Sequence, residues 1–475
     1  MTRLWEFDRF KDNVALIDEF GGSISYGELE ISASALAKAV GKRCLVFALT
    51  RNEIGSVIGY ASFVNNGIAA VMLSSHLEEG LLQELISTYK PDFLWVPDDM
   101  TGRFEDSSER HSAYNYKLLK TPYNDCYPLY DELALLISTS GSTGSPKFVR
   151  QSYTNLISNT VSIAEYLKLD DKQRAITTLP MNYVYGLSVI NSHFLVGATM
   201  LLTDKGIMQK EFWNFFREAQ ATSFAGVPYT YEILDKLRFY RMDLPSLQTM
   251  TQAGGKITPE LHEKFALYAH EKGKNFVVMY GAAEATARMG YLPPEYAVEK
   301  KGSMGIPIPG GKFMLVDELG AVITEPGITG ELVYEGKNVT LGYAEKGEDL
   351  ILGDERDGRL ETGDMARFDS DGFYYIVGRK KRFLKIYGNR VNLAEIENMI
   401  KNEFSIETAC AGKDDHLYIF ITEEGISDKV KAFVVNKTKL NQAAFKVMVL
   451  EEIPKNESGK TLYKELTAYY DPEAR

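Results

Sequence analysis

Residues 135–147 read Leu-Leu-Ile-Ser-Thr-Ser-Gly-Ser-Thr-Gly-Ser-Pro-Lys, an apolar strand-like run followed at once by a loop of hydroxyls and glycines that closes on a lysine. Such a loop grips a polyphosphate. Gly141 and Gly144 let backbone N–H groups approach anionic oxygens, Thr139, Ser140, Ser142 and Thr143 add hydroxyl donors, and Lys147 supplies a mobile positive charge. The spacing is not that of a Walker loop, in which the second glycine is followed directly by Lys-Ser/Thr. Here Ser145-Pro146-Lys147-Phe148 follows Gly144, which disfavours kinase-like P-loop chemistry.

Three further groups of residues could serve a nucleotide. Tyr280-Gly281-Ala282-Ala283-Glu284 follows a strand-like run and sets an aromatic ring and a carboxylate on one turn; such a carboxylate near phosphates can hold Mg2+. Thr362-Gly363-Asp364 ends a tight turn in a carboxylate, an acceptor-only fork suited to a pair of ribose hydroxyls. Near the end of the chain, Pro454-Lys455-Asn456-Glu457-Ser458-Gly459-Lys460 places a lysine after a glycine turn. Each has an ordinary alternative, respectively a core tyrosine at a strand end, a common Gly-Asp turn and a solvated lysine.

The order and spacing of these motifs resemble the adenylate-forming ligases, which include acyl- and aryl-CoA synthetases, peptide-synthetase adenylation domains and luciferase. The fullest match is the stretch 378–397, in which Arg379, Lys381, Lys385, Gly388, Arg390 and Glu395 fill the family's hinge signature. The resemblance implies that the 139–144 loop with Lys147, Gly255 and Gly281 lines the ATP site and that Tyr280 packs on adenine. It also implies that Glu284 binds Mg2+, that Asp364 and Arg379 hold the ribose, that Lys381 is a hinge and that Lys460 is the main catalytic lysine. Tyr183, Val227, Tyr229 and Gly254 fall in segments resembling the acyl-pocket wall. Three positions depart from the family pattern: Phe148 replaces a glycine, Ala283 a threonine, and Tyr183 a histidine common in CoA synthetases. No aspartate lies between Pro180 and Gly197 to pair with a substrate ammonium, so a free α-amino acid is disfavoured.

The implied reaction condenses a small carboxylic acid with ATP to an acyl adenylate, with release of pyrophosphate, and passes the acyl group to the thiol of CoA. The acceptor could instead be a carrier-protein phosphopantetheine supplied in trans, and a non-catalytic nucleotide-binding regulator is a second alternative.

Elements must position these residues. Residues 28–40 carry Leu29, Leu36 and Val40 on or near one helical face and stop at Gly41. Apolar runs at 44–49, 67–73, 93–96, 174–179, 198–203, 223–227 and 275–280 alternate with helical stretches, which predicts α/β architecture with largely parallel sheets. After about residue 300 short β-rich pieces with turn glycines (312–317, 330–335, 372–377) predict a small antiparallel unit. The tail reads helix 393–402, strand 416–422, helix 428–435 and strand 445–449. The expected organisation is an AMP-binding domain over 1–380, with its β-rich subdomain at about 303–380, and a small mobile α+β domain over 381–475.

Composition sets the limits. A chain of 475 residues, 45% hydrophobic, can bury more than one core. Its net charge of −12 argues against nonspecific nucleic-acid binding. Cys44, Cys126 and Cys410 show no metal spacing and suit a reducing compartment. The first residues lack the apolar core of a signal peptide and no run reaches membrane-spanning length, so a cytoplasmic protein without a membrane partner is expected.

Overall fold

A computed structural model describes residues 3–138, 147–387, 389–455 and 461–470. The chain forms two compact units, residues 1–313 with 333–360 and residues 314–332 with 361–475.

Two large sheets make up most of the first unit. One runs in the order Gly342–Ala344, Phe148–Ser152, Leu133–Ser138, Ala69–Ser74, Leu45–Thr50, Phe93–Pro97, Tyr116–Lys120, Ser108–Ala113. Its centre is parallel and both flanks are antiparallel. The segment with the glycine-rich loop therefore joins two antiparallel neighbours, with Ser138 opposite Phe148. In the other sheet, Val14–Asp18, Thr199–Leu202, Arg174–Ile176, Ser223–Gly226, Thr249–Gln252 and Asn275–Tyr280 are parallel neighbours, with short antiparallel strands at both edges. Parallel strands end at one edge, and there the chain places residues 177–183, Val227, 253–255 and Gly281. In open α/β sheets that edge is where ligands bind.

Helices fill the space between the sheets. Ile54–Asn65 is buried at every position, as expected of a helix without a polar face. A single cluster joins Val46, Ala48, Ala70 and Met72 of one sheet to Leu16, Ala175, Met200 and Leu202 of the other through Val57, Ile58, Leu187 and Ile190. Helix starts follow local chemistry. Ser25 and Glu28 form a capping box at the head of Tyr26–Val40, and Gly41, at φ 77°, ends it.

Most expected strands and helices are present within a few residues, and Asn275–Tyr280 and Phe445–Val449 fall at the expected positions. The β-rich pieces join a five-stranded sheet ordered Val322–Ile323, Gly311–Val316, Gly330–Gly336, Arg359–Phe368, Tyr374–Arg379. In the second unit, Thr408–Lys413, His416–Ile421 and Phe445–Val449 form a sheet whose core includes Ile396, Ile400, Val430 and Val434 from two helices. Sequence patterning overlooked Ser108–Ala113, a polar edge strand, and Thr408–Lys413, whose Ala, Cys and Gly residues carry little β-propensity.

Phe148 is 1% exposed and sets its ring edge-on to Tyr89 at 5.3 Å. Phe148→Gly, which installs the residue usual in the family, is expected to destabilise the first unit by about 3–5 kcal/mol, as truncation of a buried phenylalanine does. Trp5, Trp95 and Trp213 all lie in that unit, so urea unfolding followed by tryptophan fluorescence reports it. An unchanged midpoint would refute the anchoring role.

Candidate active site

Lys147 and Glu284 meet at one tyrosine. The strand Gly342–Ala344 lies antiparallel to Phe148–Ser152, with Tyr343 opposite Val149. This register sets the Lys147 Nζ 3.7 Å from the centre of the Tyr343 ring, a cation–π contact. The Tyr343 hydroxyl donates to Glu284 Oε1 at 2.7 Å, and the Arg356 guanidinium also faces the ring, 4.7 Å from its centre. Burial first, then the Glu284 carboxylate, pushes the Tyr343 phenol up to about 12. It therefore stays protonated and remains a donor. Lys147 also pairs with the exposed Glu345 carboxylate at 3.3 Å.

Glu284 is held from its backbone as well. It sits in the one-turn helix Ala283–Ala285, and its carbonyl accepts from Thr340 N–H, Thr340 Oγ1 and Arg356 Nη1 at 3.0–3.1 Å. Just before it the chain turns so tightly that a Cβ on Gly281 would lie 1.6 Å from the Ala287 carbonyl oxygen. Only glycine fits there. Tyr280 meets Phe313 edge-on at 6.2 Å, and Phe313 meets Tyr334.

Among the described residues no three His, Cys, Asp or Glu side chains gather as a metal cluster. A cation at Glu284 would therefore share that carboxylate with oxygens of a bound ligand. Mg2+ takes such a set, one or two carboxylates with phosphates and water, so the residues fit the ion.

Tyr183, Val227 and Gly254 lie side by side at the parallel-strand edge. A Cβ on Gly254, which has φ 82°, would fall 2.6 Å from the Tyr183 hydroxyl and 3.1 Å from Val227 Cγ1. Gly255 abuts Pro228, and its carbonyl accepts from Gln252 Nε2 at 2.9 Å. Burial raises the Tyr183 phenol above its usual range. Tyr229 differs from its neighbours in being 53% exposed on the first turn of Pro228–Lys236.

In the second unit, Asp364 and Arg379 are direct cross-strand partners, and Arg379 Nε lies 2.7 Å from Asp364 Oδ1. Asp364 is buried while the arginine side chain is exposed. Lys381 lies in the single turn Lys380–Arg382. Thr139, Ser140, Gly141, Ser142, Thr143, Gly144, Lys460 and the side chain of Lys381 lie outside the described residues.

Sequence reading missed Tyr343, Arg356 and Arg288. Tyr343 sits in an unremarkable Thr-Leu-Gly-Tyr-Ala run and gains meaning only from a strand pairing almost two hundred positions away. Arg288 left a readable signal as the one charged residue in 285–292.

A family model described as AMP-binding enzyme matches residues 5–344. The chain belongs to the AMP-binding enzyme family. Among its relatives, the oxalate–CoA ligase of Arabidopsis thaliana is 31% identical over 353 residues, covering 70% of this chain and 66% of that protein. The matched stretch thus spans just under two thirds of the plant enzyme. The 2-succinylbenzoate–CoA ligase of Bacillus subtilis is 24% identical over 480 residues, covering 96% and 95%. Among solved structures, Bacillus subtilis o-succinylbenzoate CoA synthetase in complex with AMP superposes with a TM-score of 0.77 at 22% identity over 98% of both chains. ATP-bound MatB from Rhodopseudomonas palustris gives 0.78 at 20% identity over the full length of both. The expected α/β architecture is therefore the fold of this family.

Tyr343→Phe keeps the ring that faces Lys147 and Arg356 and removes only the donor to Glu284. Hydrogen bonds to charged groups contribute about 1.5–3 kcal/mol to stability, so the thermal midpoint is expected to fall by a few degrees, and Mg·ATP binding measured by calorimetry is expected to weaken as Glu284 loses the donor that fixes it. Unaltered Mg·ATP affinity would remove Tyr343 from the site.

Proposed function

We propose that this protein is an AMP-forming acid–thiol ligase that activates a small carboxylic acid with ATP and transfers it to CoA. The observation that carries the reading is the convergence of Lys147 and Glu284 on Tyr343, with the Tyr183–Val227–Gly254 wall lying on the ligand-binding edge of the parallel sheet in the same unit. Membership of the AMP-binding family supports it, as do relatives named as CoA ligases.

In this reading Tyr280 packs beside adenine at the end of its strand, and Asp364, pre-aligned by Arg379, accepts from the ribose. Lys147 reaches the departing phosphates on its flexible stem. Glu284, fixed by Tyr343, would hold Mg2+, which when bound neutralises phosphate charge. Tyr183, Val227 and Gly254 exclude water around the acid. Lys460 bridges the attacking carboxylate and the α-phosphate, where negative charge builds in the transition state. Holding both reactants in one cleft removes most of the entropic barrier to in-line attack. Lys381 acts as the pivot that exchanges the adenylation arrangement for the thiol-transfer arrangement.

Carboxylate-dependent exchange of pyrophosphate into ATP, screened over aryl, short-chain and hydroxy acids, tests the reading directly. Exchange with none of them would sink it. Lys460→Ala is expected to lower exchange by on the order of a hundredfold or more and to leave thioester formation from supplied acyl adenylate within a few fold. Equal loss of both half-reactions would show that Lys460 does not act in adenylation. Lys381→Pro should preserve exchange and slow transfer to CoA, which single-turnover kinetics separates; an unchanged transfer rate would dismiss the pivot.

A further inference from the structure

Arg288 lies four residues beyond Glu284 and is 1% exposed. Its Nη2 donates to Ser188 Oγ at 3.0 Å, and its Nη1 reaches the Tyr166 hydroxyl at 3.3 Å and the Met279 sulfur. The guanidinium lies over the Tyr185 ring, 4.3 Å from its centre. Its Nε is buried without a partner. Among the described residues no carboxylate pairs with this cation. An arginine cannot shed its proton, and a buried charge without a counter-charge is costly. Two hydroxyls, a sulfur and an aromatic face soften that cost without neutralising it.

The surroundings are polar and incompletely bonded. Asn159 donates to the Arg288 carbonyl at 2.9 Å while its own Oδ1 is buried and unpartnered. Ser162, one turn further along the same helix and on the side that carries Tyr166, has a buried, unpartnered hydroxyl. On the facing helix, the His193 Nδ1 hydrogen goes to the Val189 carbonyl at 2.8 Å, and burial pushes the imidazole down to about 4, so the ring is neutral. Its Nε2 is likewise buried and unpartnered. The open donor, Arg288 Nε, suits an acceptor-only ligand. The open acceptors suit water that such a ligand brings with it.

This cluster adjoins the acid pocket. Tyr185, under the guanidinium, meets Tyr183 edge-on at 6.3 Å, and Tyr183 is the residue set against Gly254. Arg288 and Glu284 face different elements, the arginine toward Tyr166, Tyr185 and Ser188 and the glutamate toward Tyr343. An anion at Arg288 is therefore not the phosphate chain held near Glu284.

Building on the ligase reading, we propose that Arg288 determines specificity by pairing with a second carboxylate of the substrate, remote from the carboxyl group that is adenylated. The acid is a dicarboxylate. Its far carboxylate supplies the counter-charge that the folded chain omits, and an acid lacking it leaves the guanidinium buried and unpaired.

The test is pyrophosphate exchange by the full-length protein on linear diacids from oxalate to adipate and on the three benzenedicarboxylates, each against its monomethyl ester. For at least one diacid, kcat/KM is expected to exceed that of the ester by on the order of ten-thousandfold, the scale on which a site whose buried polar groups would be left unpaired rejects an unmatched ligand. Arg288→Met, which keeps length and loses charge, should bring that ratio near one by raising KM for the diacid with KM for ATP unchanged; Arg288→Lys should retain part of the preference. Should neither variant fold, the wild-type ratios decide. Exchange with monoesters or simple monoacids as good as with any diacid, or an undiminished preference in Arg288→Met, overturns this inference alone. Exchange with no acid overturns the ligase reading and this inference together.

Discussion

The short antiparallel ladder between Phe148–Ser152 and Gly342–Ala344 is the constraint on which the meeting of Lys147, Tyr343 and Glu284 depends. It brings Lys147 to Tyr343, and through Tyr343 to Glu284, across a large separation in sequence. Three residue pairs make the ladder, so backbone bonds alone hold it weakly, and Arg150 reinforces it from within. Arg150 is fully buried and donates to the carbonyls of Tyr343, Leu352 and Gly353 while pairing with Glu355. Gly342, at φ 135°, leaves the room this requires; a Cβ there would strike the Glu355 carboxylate. Desolvation of Arg150 opposes this arrangement and Glu355 offsets it.

The edge of the parallel sheet rests on a different device. Six parallel strands end at one edge, so residues 177–183, Val227, 253–255 and Gly281 are gathered by topology before any side chain is chosen. Glycine then sets how closely backbones approach, at Gly254 beside the Tyr183 hydroxyl and at Gly281 against the Ala287 carbonyl. Side chains decide what is bound; the glycines decide that there is room.

Much of this was legible in the sequence because the informative residues are local. Asn275–Tyr280 runs straight into the turn bearing Glu284, and Asp364 and Arg379 stand in strands close enough in sequence to pair as neighbours. Tyr343 and Arg356 were not legible, since their importance arises from strand pairing and from an aromatic ring that two cations approach. Arg150 was hidden likewise, being an arginine in a short run whose complete burial depends on carbonyls from residues 341–353. Ser108–Ala113 escaped because an exposed edge strand needs no apolar alternation.

Phe148 bears on how the neighbouring lysine works. Its ring is locked against Tyr89, and its backbone is paired on both sides, to Ser138 and to Ala344. In mechanical terms the carboxyl end of the loop is a fixed post. Any displacement of the main chain at 148 has to extract an aromatic ring from the core, so movement of the ammonium falls to the four methylenes of Lys147 and not to the backbone beneath them.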